Sequence, residues 1–170
     1  MSDNNNPLNQ LMKKKIIYID MDGVLVDLGK AFDKFFKLHP YLKERYKDNP
    51  DHIQGIFRNA PPMEGAIEAV KKLAESGKYE LFIATSAPWG NPMSGSDKRF
   101  WVEDYFGNLF HKKIFVTHRK DLLVGDYLID DRTKNGAGEF DGELLQFGIN
   151  WETGKEGPYP NWDSILDYLL

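Results

Sequence analysis

Apolar residues in this chain fall into two kinds of run that alternate. Short, nearly continuous runs occur at Ile16-Ile17-Tyr18-Ile19, Leu81-Phe82-Ile83-Ala84, Ile114-Phe115-Val116, Tyr127-Leu128-Ile129 and Leu144-Leu145-Gln146-Phe147. Runs of that length and make-up predict strands buried on both faces, as in a parallel sheet. Between them, Ile67, Val70, Leu73 and Ala74 recur at helical spacing and predict a helix over 65–76 that Gly77 can end. Residues 97–106 predict a second helix with Phe100, Trp101, Tyr105 and Phe106 on an aromatic face. Asn161 or Asp163 is placed to cap a last helix through Leu170. The alternation predicts an α/β fold, a Rossmann-like three-layer α/β/α sandwich of mostly parallel strands.

One segment interrupts the alternation. Residues 28–59 hold an amphipathic stretch with Phe32, Phe35 and Phe36, a break at His39-Pro40, and two shorter helical pieces with Tyr41, Tyr46, Ile53, Ile56 and Phe57. We expect a small helical insertion here, with residues 13–27 and 60–170 forming the core. The polar residues 1–12 are expected to be a flexible arm.

Composition narrows the picture. A chain of 170 residues is about one domain. Its net charge of -4 gives no reason to expect a nucleic-acid polymer or an anionic membrane as partner. Cysteine is absent, which excludes disulfides, thiolate nucleophiles and Cys-ligated zinc. The N-terminal residues carry no signal-like apolar stretch and no run approaches a membrane span, so a soluble, cytoplasmic protein is expected.

The candidate chemistry lies where the apolar runs stop. The first ends in Asp20-Met21-Asp22, the second in Thr85-Ser86 and the fourth in Asp130-Asp131. Any one of these alone reads as a turn or a solvated strand end. In open α/β sheets, however, ligands bind beyond the carboxyl ends of the strands. Parallel neighbouring strands would gather four carboxylates and two hydroxyls at one spot. Such carboxylates cannot all ionise together without a cation, and oxygen-only ligands with room for water and phosphate point to magnesium.

These stretches resemble a known superfamily. Asp20-Met21-Asp22-Gly23-Val24-Leu25-Val26-Asp27 is similar to the first motif of the haloacid dehalogenase (HAD) phosphatases. Thr85 resembles the second motif, Lys120 the third and Asp130-Asp131 the fourth. Response-regulator receiver domains also form aspartyl phosphates, but they place the acidic pair first. A closer resemblance, to the 5′(3′)-deoxyribonucleotidases, is carried by the stretch from Pro61-Pro62-Met63-Glu64-Gly65 to Val70, by Trp101-Val102-Glu103-Asp104-Tyr105-Phe106-Gly107 and by Leu128-Ile129-Asp130-Asp131-Arg132. It implies a HAD-like fold in which residues 28–59 are a cap over the active site. It also implies magnesium as cofactor and a small phosphorylated metabolite, a nucleoside monophosphate, as substrate.

Roles follow from the chemistry and the resemblance together. Asp20 is the expected nucleophile, and Asp22 the acid that protonates the leaving alkoxide and then the base that activates water. Thr85, Ser86, Lys120 and Lys98 are the candidate phosphate-binding residues; Arg119, Lys112 and Lys113 compete with Lys120, and Arg99 with Lys98. Asp20, Asp22 (through its backbone carbonyl) and one or both of Asp130 and Asp131 are the candidate metal ligands. Asp126 is expected at the start of its strand, away from the site, and His39, His52, His111 and His118 show no ligand spacing. Two other readings stay open: the same chemistry on another phosphoester such as a sugar phosphate, and a non-catalytic domain that binds a metal or a phosphorylated partner.

Overall fold

The computed structural model describes residues 13–170, so the arm expected at 1–12 lies outside the described residues. Five strands form one sheet: β1 (Lys15–Ile19), β2 (Tyr79–Thr85), β3 (Ile114–Val116), β4 (Tyr127–Asp130) and β5 (Glu143–Gln146). Their spatial order is β3-β2-β1-β4-β5 and every pairing is parallel. All carboxyl ends therefore lie on one edge. The order reverses at β1, the topological switch point where such sheets take ligands.

The helices are α1 (Leu28–Leu38), α2 (Lys43–Tyr46), α3 (Ala66–Glu75), α4 (Ser94–Phe106) and α5 (Trp162–Leu169). α3 and α5 pack on each other. Together with Trp101, Val102 and Phe106 of α4 they cover the sheet face that presents Ile17, Ile19, Ile83, Ile129 and Leu145. The opposite face presents Tyr18, Ala84 and Leu128. It is covered by Ala137 and Phe140 and by Leu123 of short 3₁₀ connections, so this layer is much thinner than the first. A helix-capping box at Asn161 starts α5, as expected: the side chain accepts from the Ser164 N–H at 3.0 Å. α4 begins three residues earlier than the pattern predicts, because Ser94 is wholly buried and extends the packed face.

Residues 28–59 contain α1, α2 and two 3₁₀ turns, Pro40–Leu42 and Pro50–His52. Their apolar residues do not form a core of their own. Ile53, Ile56 and Phe57 belong to the main cluster, and Phe32, Phe35, Phe36 and Tyr46 pack against it. A further pair of strands, absent from the predicted elements, follows β5 as an antiparallel hairpin: β6 (Ile149–Asn150) and β7 (Lys155–Glu156). No helix of the described residues is long and apolar enough to cross a membrane.

Candidate active site

Each candidate residue reaches the site by a short piece of structure. Asp20 follows β1 directly, and its N–H donates to Ile129 O at 2.9 Å, tying the end of β1 to β4. The chain then turns around the Met21 carbonyl, which accepts from the N–H groups of Val24, Leu25 and Val26. Gly23 makes that turn possible with φ of 80°. It also lies so close to Asp131 that a Cβ on it would fall 2.5 Å from Asp131 Oδ2. The backbone of the first acidic stretch is thus packed against the second.

Asp20, Asp130 and Asp131 are all buried, and each offers a carboxylate oxygen within 4.8 Å of the others. Lys120, on a 3₁₀ turn before β4, is buried between them. Its Nζ donates to Asp20 Oδ1 at 2.8 Å and to Asp130 Oδ2 at 2.5 Å. Burial pulls this ammonium towards neutrality, but Asp20 and Asp130 outweigh it and hold its pKa above the usual lysine value. Lys112, Lys113 and Arg119 make no such contact; Lys113 pairs with Glu80 and Arg119 with Asp121.

One lysine does not balance this cluster. Burial first, then repulsion from Asp20, raises Asp130 to about 6 even with Lys120 beside it. Burial and then the negative charges of Asp20 and Asp130 raise Asp131 to about 8. Asp131 Oδ1 is buried without a hydrogen-bond partner. A surplus of buried, oxygen-only ligands with one orphaned atom is the donor set of a hard divalent cation.

Asp22 sits in different surroundings. Its Oδ2 accepts from Lys98 Nζ at 2.7 Å, and its Oδ1 is buried with no partner. Burial raises its pKa, Lys98 opposes that, and Asp20 adds to it, with an upward result. Lys98, on α4, is only 1% exposed. Besides Asp22 it donates to Thr85 Oγ1 at 3.0 Å and to Ser86 O at 2.6 Å. An ammonium has three donors, so all of Lys98's are engaged within the protein. These contacts bring Lys98, a candidate phosphate-binding residue, to Asp22 and the end of β2. The ring of Phe57, from the insertion, covers the ammonium at 4.6 Å. Ser86 meets Lys98 through its carbonyl, whereas Thr85 is wholly buried at the end of β2.

Asp126 is at the far end of the sheet, where its Oδ2 accepts from the Ile16 N–H at 2.8 Å. The Lys98–Asp22 pair joins residues 76 apart, and no local pattern announces it.

Known proteins with related sequences and folds can be set beside this geometry. Residues 46–165 match the family described as 5′ nucleotidase, deoxy (pyrimidine), cytosolic type C protein. A Vibrio phage KVP40 protein, named as a candidate 5′(3′)-deoxyribonucleotidase, is 44% identical over 156 residues, covering 92% of this chain and 85% of the relative. The 5′(3′)-deoxyribonucleotidase of Bacillus subtilis is 29% identical over 175 residues, covering 92% and 99% of the two chains. Among solved structures, a candidate HAD hydrolase of Bacillus subtilis, YfnB, bound to magnesium, superposes with a TM-score of 0.60 at 11% identity, covering 92% of this chain and 99% of its own. A HAD-family hydrolase of Deinococcus radiodurans gives 0.52 at 12% identity over 93% and 89%. At that identity the likeness shows the HAD fold.

Proposed function

The chain belongs to the family of 5′ nucleotidase, deoxy (pyrimidine), cytosolic type C proteins, and from that premise we propose that it is a phosphatase releasing phosphate from deoxyribonucleoside 5′- or 3′-monophosphates through an aspartyl-phosphate intermediate. The observation that carries the reading is a division of labour between two aspartates two residues apart, each held by its own buried lysine.

Asp20 is the nucleophile. A carboxylate oxygen attacks phosphorus, and the bond from phosphorus to the leaving alkoxide oxygen breaks. Asp22 supplies the proton that alkoxide needs. Lys98 occupies Oδ2, so the acid proton resides on the unpartnered Oδ1. The upward shift of the Asp22 carboxyl favours carrying that proton. Ionised Asp22 then takes a proton from water. That water attacks phosphorus, releases inorganic phosphate and restores Asp20. The charge of Lys120 and the hydroxyl of Thr85 stand beside the transferring group, where positioning and neutralisation dominate phosphoryl transfer.

Magnesium suits the remaining donors: Asp20, Asp130 and Asp131, with the backbone carbonyl of Asp22, would hold it. When bound, it supplies positive charge to the phosphoryl oxygens as their charge grows.

The test is hydrolysis of deoxynucleoside monophosphates and sugar phosphates with and without magnesium, in wild type and Asp20→Asn. Expected are magnesium-dependent release of phosphate, a preference for deoxynucleotides, and no turnover in Asp20→Asn. Turnover surviving in that variant would remove the aspartyl-phosphate route. Equal rates on sugar phosphates would remove the nucleotide assignment.

A further inference from the structure

The residue after the acidic pair reaches both of its carboxylates. The Arg132 N–H donates to Asp130 Oδ1 at 2.9 Å. The side chain turns to the other member, and Arg132 Nε lies 3.6 Å from Asp131 Oδ1. Both atoms are buried, and neither has a hydrogen-bond partner among the described residues. Closing that gap to the roughly 2.7–2.9 Å of a charge-assisted hydrogen bond would partner both at once. Asp131 Oδ2 lies against Gly23, where a Cβ would fall 2.5 Å away. The Asp131 carboxylate is thus set between a guanidinium on one oxygen and the backbone of the first acidic stretch on the other.

The β6–β7 hairpin holds that guanidinium. Glu152 Oε1 is 3.5 Å from Arg132 Nη1, and the ring of Trp151 lies 5.4 Å from the guanidinium carbon. Glu152 is fixed in turn: Lys134 pairs with it at 2.8 Å, and its N–H donates to Asn150 Oδ1 at 3.0 Å. The hairpin is tied to the sheet and closed at its base, since the Phe147 N–H donates to Asp130 O at 2.9 Å and the Gly157 N–H to Gly148 O at 2.8 Å. Trp151 is 69% exposed, whereas Trp101 and Trp162 are wholly buried and donate their indole N–H groups to Ala60 O and Val24 O. Trp151 belongs to neither core cluster; its ring covers Arg132 instead.

We propose that Arg132 is a positioning residue for the metal site: its guanidinium, braced by Trp151 and Glu152, fixes the Asp131 carboxylate in the orientation a small divalent cation needs, and so favours magnesium over calcium. This rests on the magnesium reading above and adds the part played by the hairpin. Magnesium demands near-ideal octahedral geometry, whereas calcium accepts roughly six to eight oxygens in flexible arrangements. A carboxylate left free to turn therefore costs magnesium more than calcium. Groups that hold a metal ligand commonly govern affinity in this way. Charge alone predicts the reverse, because a cation beside the cluster repels a second cation and its removal should tighten binding. The two roles differ in sign.

The experiment measures magnesium and calcium binding by calorimetry, without substrate, on protein stripped with chelator: wild type, Arg132→Met, Arg132→Lys, Trp151→Ala and Glu152→Gln. Expected in Arg132→Met is magnesium binding about tenfold weaker, with a smaller loss for calcium, so that the ratio of the two affinities falls. Arg132→Lys keeps the charge but not the planar fork, and should not restore the ratio. Trp151→Ala and Glu152→Gln should move the ratio the same way by a smaller factor. Lys71→Met, which removes a charge from the exposed side of α3, should match wild type. Circular dichroism checks the fold of each variant; where Arg132→Met does not fold, Trp151→Ala decides by the same ratio. A wild type that binds no magnesium defeats the magnesium reading and the inference with it. Magnesium binding unchanged or tighter in Arg132→Met, equal losses for the two ions, full recovery in Arg132→Lys, or an unchanged ratio in Trp151→Ala defeats the inference alone.

Discussion

At the scale of single residues, environment separates two chemically identical side chains. Asp20 shares Lys120 with Asp130, whereas Asp22 has one oxygen pinned by Lys98 and the other free. Asp22→Asn should therefore lower turnover of alkyl phosphates by about a hundredfold or more, and that of nitrophenyl phosphate far less, since a phenolate leaves without a proton. Lys98→Met should lower the alkyl-to-aryl ratio in the same direction, because Asp22 loses the contact that sets which oxygen carries the proton. Equal losses on both substrates would mean that neither residue serves protonation. Gly23→Ala tests the packing of the two acidic stretches. Its Cβ would meet Asp131 Oδ2 at 2.5 Å on a backbone that also disfavours a side chain. Magnesium affinity measured by calorimetry should fall while the circular dichroism spectrum stays native. The acidic residues were legible because each ends an apolar strand. Lys98 was legible as a candidate phosphate-binding residue, but its hold on Asp22 was not: that partner lies on another element, and its three engaged donors are a property of the packed state.

At the scale of elements, the return limb of the insertion is stitched to α4 and the loop before it. Asn91 Nδ2 donates to the carbonyls of Asp51 and Ile53, Trp101 Nε1 donates to Ala60 O, and Arg58 pairs with Asp104. Gly90 admits the His52 ring, which would lie 2.3 Å from a Cβ placed there. The limb that places Phe57 over Lys98 is therefore a fixed wall built on the helix that carries Lys98 itself. Asn91→Ala leaves two carbonyls without their donor and should cost about 1–3 kcal/mol in urea unfolding. Its effect on turnover should fall mainly on alkyl phosphates, through Phe57 and Lys98. An unchanged unfolding midpoint would mean that the limb is held by other contacts. The strands were readable from their apolar runs, α1 and α3 from apolar period and α5 from its cap, whereas the aromatic face expected on α4 buries Trp101 and Phe106 but leaves Phe100 and Tyr105 exposed. The hairpin was not, because Ile149-Asn150 and Lys155-Glu156 are too short to alternate and are shaped by the Asn150 side chain. The thin second layer was hidden for a similar reason: its 3₁₀ turns, Lys120–Leu122 and Ala137–Glu139, are too brief to show a period.

At the scale of the whole molecule, a parallel sheet with every carboxyl end on one edge concentrates negative charge where burial is deepest, and this sets how stability depends on pH. In metal-free protein, Asp131 titrates at about 8 and Asp130 at about 6, both above the 3.8 of an ordinary aspartate. Between about pH 4 and pH 8 the folded chain thus holds protons that the unfolded chain has released. Stability falls with rising pH wherever the native state binds more protons. In chelator, Tm should decline from pH 5 to pH 8 and level off above, a loss on the order of a few kcal/mol. Magnesium competes with those protons for the same oxygens, so its stabilisation should be small at pH 5 and largest at pH 8. Asp131→Asn removes a carboxyl that the cluster raises to about 8, and should flatten both the metal-free decline and the magnesium effect. Calorimetric melting at the two pH values, with magnesium and with chelator, checks all of these. A metal-free Tm that rises over that interval would show that Lys120 and Arg132 already neutralise the cluster, and that the acidic edge does not need a divalent ion to stay folded at neutral pH.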